Sequence, residues 1–281
     1  MLYFYQSIST GADDVMADSI GKYGLTNTRD LGETVRAERN HIIQGKLYRS
    51  AELCHASPEG IEWIRNHVSR IIDLRTYREI KEKPDPWIEG VEYVHLPIME
   101  NLTPGVTHDD ASYAREFINI VSDPDQAREY MLQVYRNMIL NEYARKQYRK
   151  VIDLLMEERP LGTLWHCTAG KDRAGFAAVL VEELLDVPRD EIFADYMRTN
   201  LCRESETESM IQFFRARFSS GVDAEKGMRM LFGADLAYFS AWYLAATEAF
   251  GGMDSYICNG LGITGRQKEE FQRLYLRTAE S

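Results

Sequence analysis

The stretch LWHCTAGKDRAGF, residues 164–176, decides the fold. It opens as an apolar run ending at Cys167 and continues through three small residues, Thr168, Ala169 and Gly170. It then turns charged at Lys171, Asp172 and Arg173, before an apolar segment of helical length over 174–185. A buried strand ending at Cys167 delivers that side chain to the rim of a sheet, where α/β proteins place ligands. Small residues let the backbone curl with its N–H groups inward, and such a nest binds an anion. The following helix adds the positive end of its dipole. Arg173, at the helix start, supplies a planar fork matched to two phosphate oxygens. The same field favours thiolate over thiol at Cys167. A thiolate beside a bound phosphate is placed for in-line attack on phosphorus, giving a phosphocysteine that water then hydrolyses. Loop donors stabilise the equatorial oxygens as charge shifts.

Outward from this stretch, short β-type runs alternate with helical patterns. KLYRS (46–50), RIIDLR (70–75) and VEYVHLPI (91–98) read as strands, and TLWHC (163–167) as the last of them. A helix begins within SPEGIEWIRNHV, with Ser57 as N-cap and Pro58 at its first position. A long amphipathic helix is expected over about 143–158, and the chain from 189 onward is mostly helical, broken at Gly251 and Gly252. The stretch from 100 to about 125, with Pro104 and Gly105, reads as a long loop holding a short helix, either a functional cover or a disordered segment. Strands alternating with helices, then helices alone, predict an α/β fold: a central mostly parallel sheet flanked by helices, with a helical lid-like insertion. No Pro/Gly/Ser-rich linker divides the chain, so a single domain is expected over 22–281, preceded by a flexible arm over 1–21.

Composition narrows the function. A net charge of -11 argues against general affinity for nucleic acid or anionic lipid, though not against one basic cleft. The four cysteines, Cys54, Cys167, Cys202 and Cys258, form no CxxC pair and fit neither a zinc-site nor a disulfide spacing. A reduced compartment follows, and with no signal-like start or membrane-length apolar run the expected location is cytoplasmic. Export without a cleaved signal escapes this test. No cofactor and no metal are expected, because the phosphocysteine route needs neither.

HCTAGKDR, residues 166–173, is a Cys-x5-Arg loop and resembles the cysteine-dependent protein tyrosine phosphatases, in particular the bacterial family whose loop reads HCxxGKDR. TNTRDLG (26–32), LYRSAEL (47–53), IDLRTYRE (72–79), ADYMRTN (194–200) and YLAATEAFGGMDSYI (243–257) are similar to further blocks of that family, in order. The resemblance implies a tyrosine phosphatase-like fold acting on protein phosphotyrosine, with dual or phosphoinositide specificity in some members, and phosphate as product. It places Cys167 as nucleophile and Arg173 as phosphate clamp, with Thr168, Ala169, Gly170, Lys171 and Ala174 lining the substrate. The family's general acid is an aspartate after a strand ending in Leu-Pro; LPIMEN puts Glu100 there, with Asp109 and Asp110 as rivals.

Several positions carry two readings. Lys171 is either a solvated loop lysine or an ammonium at the mouth that attracts a second phosphate, as in lipid-directed relatives. Asp172 either braces the loop or protonates the leaving oxygen; its neighbour Arg173 favours the ionised form and hence bracing. Asp73 is expected as a structural partner rather than the acid, and His166 as an orienting residue rather than a base. The aromatic residues Tyr113, Phe117, Tyr130 and Tyr135 read as packing faces or as a lid over a phenyl ring. Ala174 stands where the family has Ser or Thr, a hydroxyl thought to stabilise the departing thiolate, so slower turnover is expected. A nucleotide-binding loop is rejected, because no Ser or Thr follows Lys171. Rhodanese-like sulfur transfer explains GKDR less well. The expected function is hydrolysis of phosphate monoesters, with a phosphoinositide phosphatase and a phospho-ligand binding module as alternatives.

Overall fold

All five residues of strand β6, Gly162–His166, are buried, as a strand covered on both faces must be. A computed structural model of the chain describes residues 21, 23–35, 40–99, 117–218 and 222–278. In it β6 is the centre of a five-stranded sheet, together with β1 (Arg29–Asp30), β3 (Leu47–Ser50), β4 (Val68–Asp73) and β5 (Glu92–His95), in the order β1-β3-β6-β4-β5. Strand β6 runs parallel to both β3 and β4, β4 runs parallel to β5, and β1 alone is antiparallel. In register, His166 stands opposite Ser50 on one side and Asp73 on the other. The chain therefore leaves β3, β4 and β6 at one edge, and the loops that follow these strands meet there.

The helices bear out the alternating pattern. Helix α1, Pro58–His67, starts as expected: the Ser57 side chain accepts from Gly60 N–H at 3.2 Å, with Pro58 at the first position. Helix α2, Tyr77–Glu82, carries a capping box between Thr76 and Glu79. Helices α3 (Pro124–Leu140) and α4 (Glu142–Leu155) precede β6, and α5 (Arg173–Leu184) follows it. Apart from Glu183 every residue of α5 is buried, which its apolar run at all angles requires. Helices α6 (Arg189–Cys202), α7 (Glu204–Phe218), α8 (Val222–Phe232), α9 (Leu236–Phe250) and α10 (Gly265–Tyr275) follow, with a short helical turn and a π-helix over 253–260 between the last two. The break after α9 falls at Gly251 and Gly252, with φ of +89° and +139°, conformations that glycine adopts without a Cβ penalty.

Two features escape the sequence pattern. Strand β2 (Asn40–Ile42) pairs antiparallel with β7 (Leu276–Thr278), a second small sheet near the end of the chain, so TLWHC is not the last strand. Three residues are too few to show a period of two, and their pairing is set by a partner more than two hundred residues away. The aromatic segment packs where it is described. Phe117 stacks on Phe214 at 4.8 Å, and Tyr135, fully buried, stacks on Trp242 at 4.4 Å. The rest of the expected lid, including Tyr113, and the expected arm over 1–21, Gly21 apart, lie outside the described residues.

Candidate active site

Cys167 follows the last residue of β6 and is 1% exposed. Gly170, in the loop between it and α5, has φ +67°. A Cβ there would stand 2.7 Å from the Ser50 carbonyl oxygen and 2.8 Å from Asn27 Nδ2, so the loop requires glycine at this point. The loop is gripped from outside by groups of two other sequence blocks. Asn27 Nδ2 donates to the Ala169 carbonyl at 3.0 Å, and Arg49 Nη2 donates to the Gly170 carbonyl at 2.8 Å. Arg49 is in turn held by Asp195 of α6 at 2.5 Å, which also takes Arg29 Nε at 2.6 Å. Asp195 is fully buried; burial opposes its charge, and Arg29 and then Arg49 outweigh burial and hold the carboxyl well below the usual range.

Arg173 opens α5 and is fully buried. Its fork meets Glu79 of α2 bidentately, Nη1 to Oε2 at 2.8 Å and Nη2 to Oε1 at 2.9 Å. The same carboxylate accepts from Thr76 N–H at 2.8 Å, from Thr76 Oγ1 at 2.9 Å and from Thr168 Oγ1. Burial raises the Glu79 carboxyl, but the Arg173 charge and its hydrogen bonds prevail and bring it to about 2. Glu79 thus stays an anion, and it fixes the plane of the guanidinium. Sequence reasoning missed it. The available signal was its double duty at the third position of the Thr76 capping box, which looks purely structural in a sequence.

Asp172 and Lys171 both turn inward. The Asp172 carboxylate accepts from Tyr135 OH at 2.5 Å and lies 3.3 Å from Lys171 Nζ, with 1% exposure. Lys171, equally buried, takes neither expected course: its ammonium donates to the Leu231 carbonyl at 2.5 Å and to that of Gly233 at 3.3 Å, at the end of α8. Burial lowers the Lys171 pKa, with Asp172 opposing. Thr168 lies between Glu79 and Arg173, accepting from Arg173 Nη2 at 3.3 Å. Ala174 is fully buried, and its carbonyl accepts from Trp165 Nε1 at 3.1 Å. Glu100, Asp109 and Asp110, the candidates for the acid, lie outside the described residues.

Behind the loop, His166 is buried with Nε2 3.1 Å from Asp85 and 3.8 Å from Asp73. Burial opposes a charge on the ring, but Asp73 and then Asp85 outweigh it, so its pKa is raised and the ring carries a proton more readily. These three groups could ligate a cation, yet the space is taken: Arg75 Nη2 sits 2.8 Å from Asp73 and 2.7 Å from Asp85. Asp73 is the expected structural partner, at the base of the loop.

A thiol at a strand end, with a guanidinium that a buried carboxylate locks in one plane, suits a tetrahedral oxyanion more than any neutral group. A protein built in this way on an α/β sheet is a cysteine-dependent phosphatase. The chain belongs to the tyrosine phosphatase family, whose sequence model matches residues 22–277. It is 29% identical to the triple specificity protein phosphatase PtpB of Mycobacterium tuberculosis, over 83% of this chain and 91% of that protein. It is also 28% identical to a tyrosine-protein phosphatase of Nostoc commune, over 75% of this chain and 66% of that one. The reaction is hydrolysis of phosphate monoesters. No helix among the described residues is long and apolar enough to cross a membrane.

Proposed function

We propose that the chain dephosphorylates phosphotyrosine in proteins, with Cys167 as nucleophile and Arg173 as the group that binds phosphate and its transition state. In the first step Cys167 Sγ forms a bond to phosphorus as the bond from phosphorus to the tyrosyl oxygen breaks. The leaving oxygen takes a proton from the acid, which the resemblance places at Glu100. In the second step water attacks phosphorus, the sulfur–phosphorus bond breaks, and free phosphate leaves. The amides from Thr168 to Arg173 complete the anion cradle. The observation that carries this reading is the Glu79–Arg173 pair. It orders a long side chain before phosphate arrives, so the guanidinium plane is already fixed beside the loop.

The inward course of Lys171 and Asp172 bears on the alternatives. An ammonium donating to two carbonyls does not present itself to a second phosphate, which weakens the phosphoinositide reading. A carboxylate that accepts from a tyrosine and a lysine serves as a brace rather than as an acid. The test is phosphate release, without added metal, from a phosphotyrosine peptide, a phosphoserine peptide, phosphatidylinositol phosphates and soluble inositol phosphates, with Cys167→Ser as blank. Release from the phosphotyrosine peptide that vanishes in the blank supports the proposal. Preference for inositol phosphates would replace it with the lipid reading.

A further inference from the structure

The loop after β3, residues 51–57, touches the phosphate loop without sharing its chemistry. Its backbone is pinned from several sides. Ala51 N–H donates to the Thr26 carbonyl at 3.0 Å, Glu52 N–H to that of Thr168 at 3.1 Å, and Ser57 N–H to that of Tyr23 at 2.8 Å. Leu53 N–H donates to Asp85 Oδ1 at 3.0 Å, and the Leu53 side chain is fully buried. A turn closes between Ala56 N–H and the Leu53 carbonyl at 2.9 Å. On this fixed frame three side chains converge: a Glu52 carboxylate oxygen, Cys54 Sγ and a His55 ring nitrogen all lie within 4.8 Å of one another.

We propose that Glu52, Cys54 and His55 form a binding site for a thiophilic divalent cation of the zinc class. One thiolate sulfur, one imidazole nitrogen and one carboxylate oxygen make a mixed donor set that suits such an ion better than calcium or magnesium, which take oxygen alone. The ligand atoms of a tetrahedral zinc site, about 2.0–2.3 Å from the metal, stand somewhat closer together than this. Closure requires the three side chains to draw together, and the His55 side chain, 69% exposed, has room to turn. His55 Nε2 already stands 3.9 Å from Glu52 Oε1. Three protein ligands leave the fourth position open to water, the pattern of exchangeable sites rather than closed structural ones.

The surrounding charges set the conditions. Glu52 now pairs with Lys83 Nζ at 2.7 Å, and its other oxygen is 3.6 Å from Arg75 Nη1. Lys83 is 39% exposed and can return its ammonium to water, while Arg75 stays held by Asp73 and Asp85. Burial and the Glu52 carboxylate push the Cys54 thiol up to about 11, with Lys83 and Arg75 opposing and Asp85 adding to the rise.

Cobalt(II) is the probe. It is titrated into the full chain carrying Cys167→Ser, so that the catalytic thiol contributes nothing, while the thiolate-to-cobalt charge-transfer absorption is recorded. One equivalent should saturate the band, and zinc should bleach it by displacement. Cys54→Ser should abolish the band with an unchanged circular dichroism melt. His55→Ala, at a side chain 69% exposed, should weaken binding by roughly tenfold or more. A band that survives Cys54→Ser would assign the metal to Cys202 or Cys258 and overturn the proposal. So would the absence of any band, or an affinity indifferent to His55→Ala.

Discussion

At the scale of single residues, the orientation of Arg173 depends on Glu79. The pair is buried and bidentate, and the Glu79 carboxyl is held at about 2 against an ordinary value of 4.5. A carboxyl depressed in the folded state contributes its stability in full above the ordinary value and loses it as pH falls through the depressed one. Glu79→Gln should therefore cost roughly 3 kcal/mol near neutral pH. Urea melts should show the gap from wild type closing between pH 4.5 and about 2. The same substitution loosens the hold on the guanidinium plane and should lower kcat/KM on a phosphotyrosine peptide by roughly 10²-fold. Ala174 argues in the other direction. It is fully buried in the first turn of α5, where the resembling family places a hydroxyl. Ala174→Ser should raise kcat by roughly tenfold or more with KM little changed, if breakdown of the phosphocysteine limits turnover. A pre-steady-state burst that disappears in the variant would locate the effect in that second step; an unchanged kcat would count against a hydroxyl requirement.

At the scale of elements, the loop holds its shape because residues from two separate blocks reach it, Asn27 before β1 and Arg49 in β3, and Asp195 in α6 in turn holds Arg49. Asp195 serves two buried arginines at once, so Asp195→Asn leaves both undercompensated and should cost roughly 3–5 kcal/mol in a denaturant melt. Activity should fall with it, because Arg49 would lose its hold on the Gly170 carbonyl. The strand, loop and helix over 162–184 were legible in the sequence because their signals are local: an apolar run, small residues, then a second apolar run at helical length. The gripping residues were visible only as blocks of resemblance, since nothing in TNTRDLG or ADYMRTN states that Asn27 reaches the loop or that Asp195 holds the arginine that does. Glu79 was hidden for the same reason, its partner Arg173 lying 94 residues further on. Strands β2 and β7 were hidden by their brevity, three residues each.

At the scale of the molecule, Lys171 ties the phosphate loop to the helical layer above the sheet. Its ammonium donates to the Leu231 and Gly233 carbonyls, at the C-terminal end of α8, where the helix dipole favours a positive charge. The turn from α8 to α9 has a second anchor in Asn200 of α6, which takes Ala234 N–H at 2.7 Å and returns its amide to the Ala234 carbonyl at 2.9 Å. Sequence alone left Lys171 between solvent and mouth, because the spacing HCTAGKDR fixes which residue follows Gly170 but not which layer packs against it. The burial that lowers its pKa also makes the interaction informative, since a desolvated ammonium stays in place only while its acceptors do. Lys171→Met keeps the apolar stem and deletes the tether. Hydrogen exchange should then speed up at the amides of Leu231 to Ala234 by roughly tenfold or more, while the remainder of α9 holds its protection. If Lys171 acts as a tether, kcat/KM on a phosphotyrosine peptide and on a phosphatidylinositol phosphate should change by the same factor. A loss confined to the lipid, with exchange unaltered, would instead place the ammonium at the mouth during turnover. The two measurements on one variant thus separate a lysine that braces the fold from one that reads the substrate.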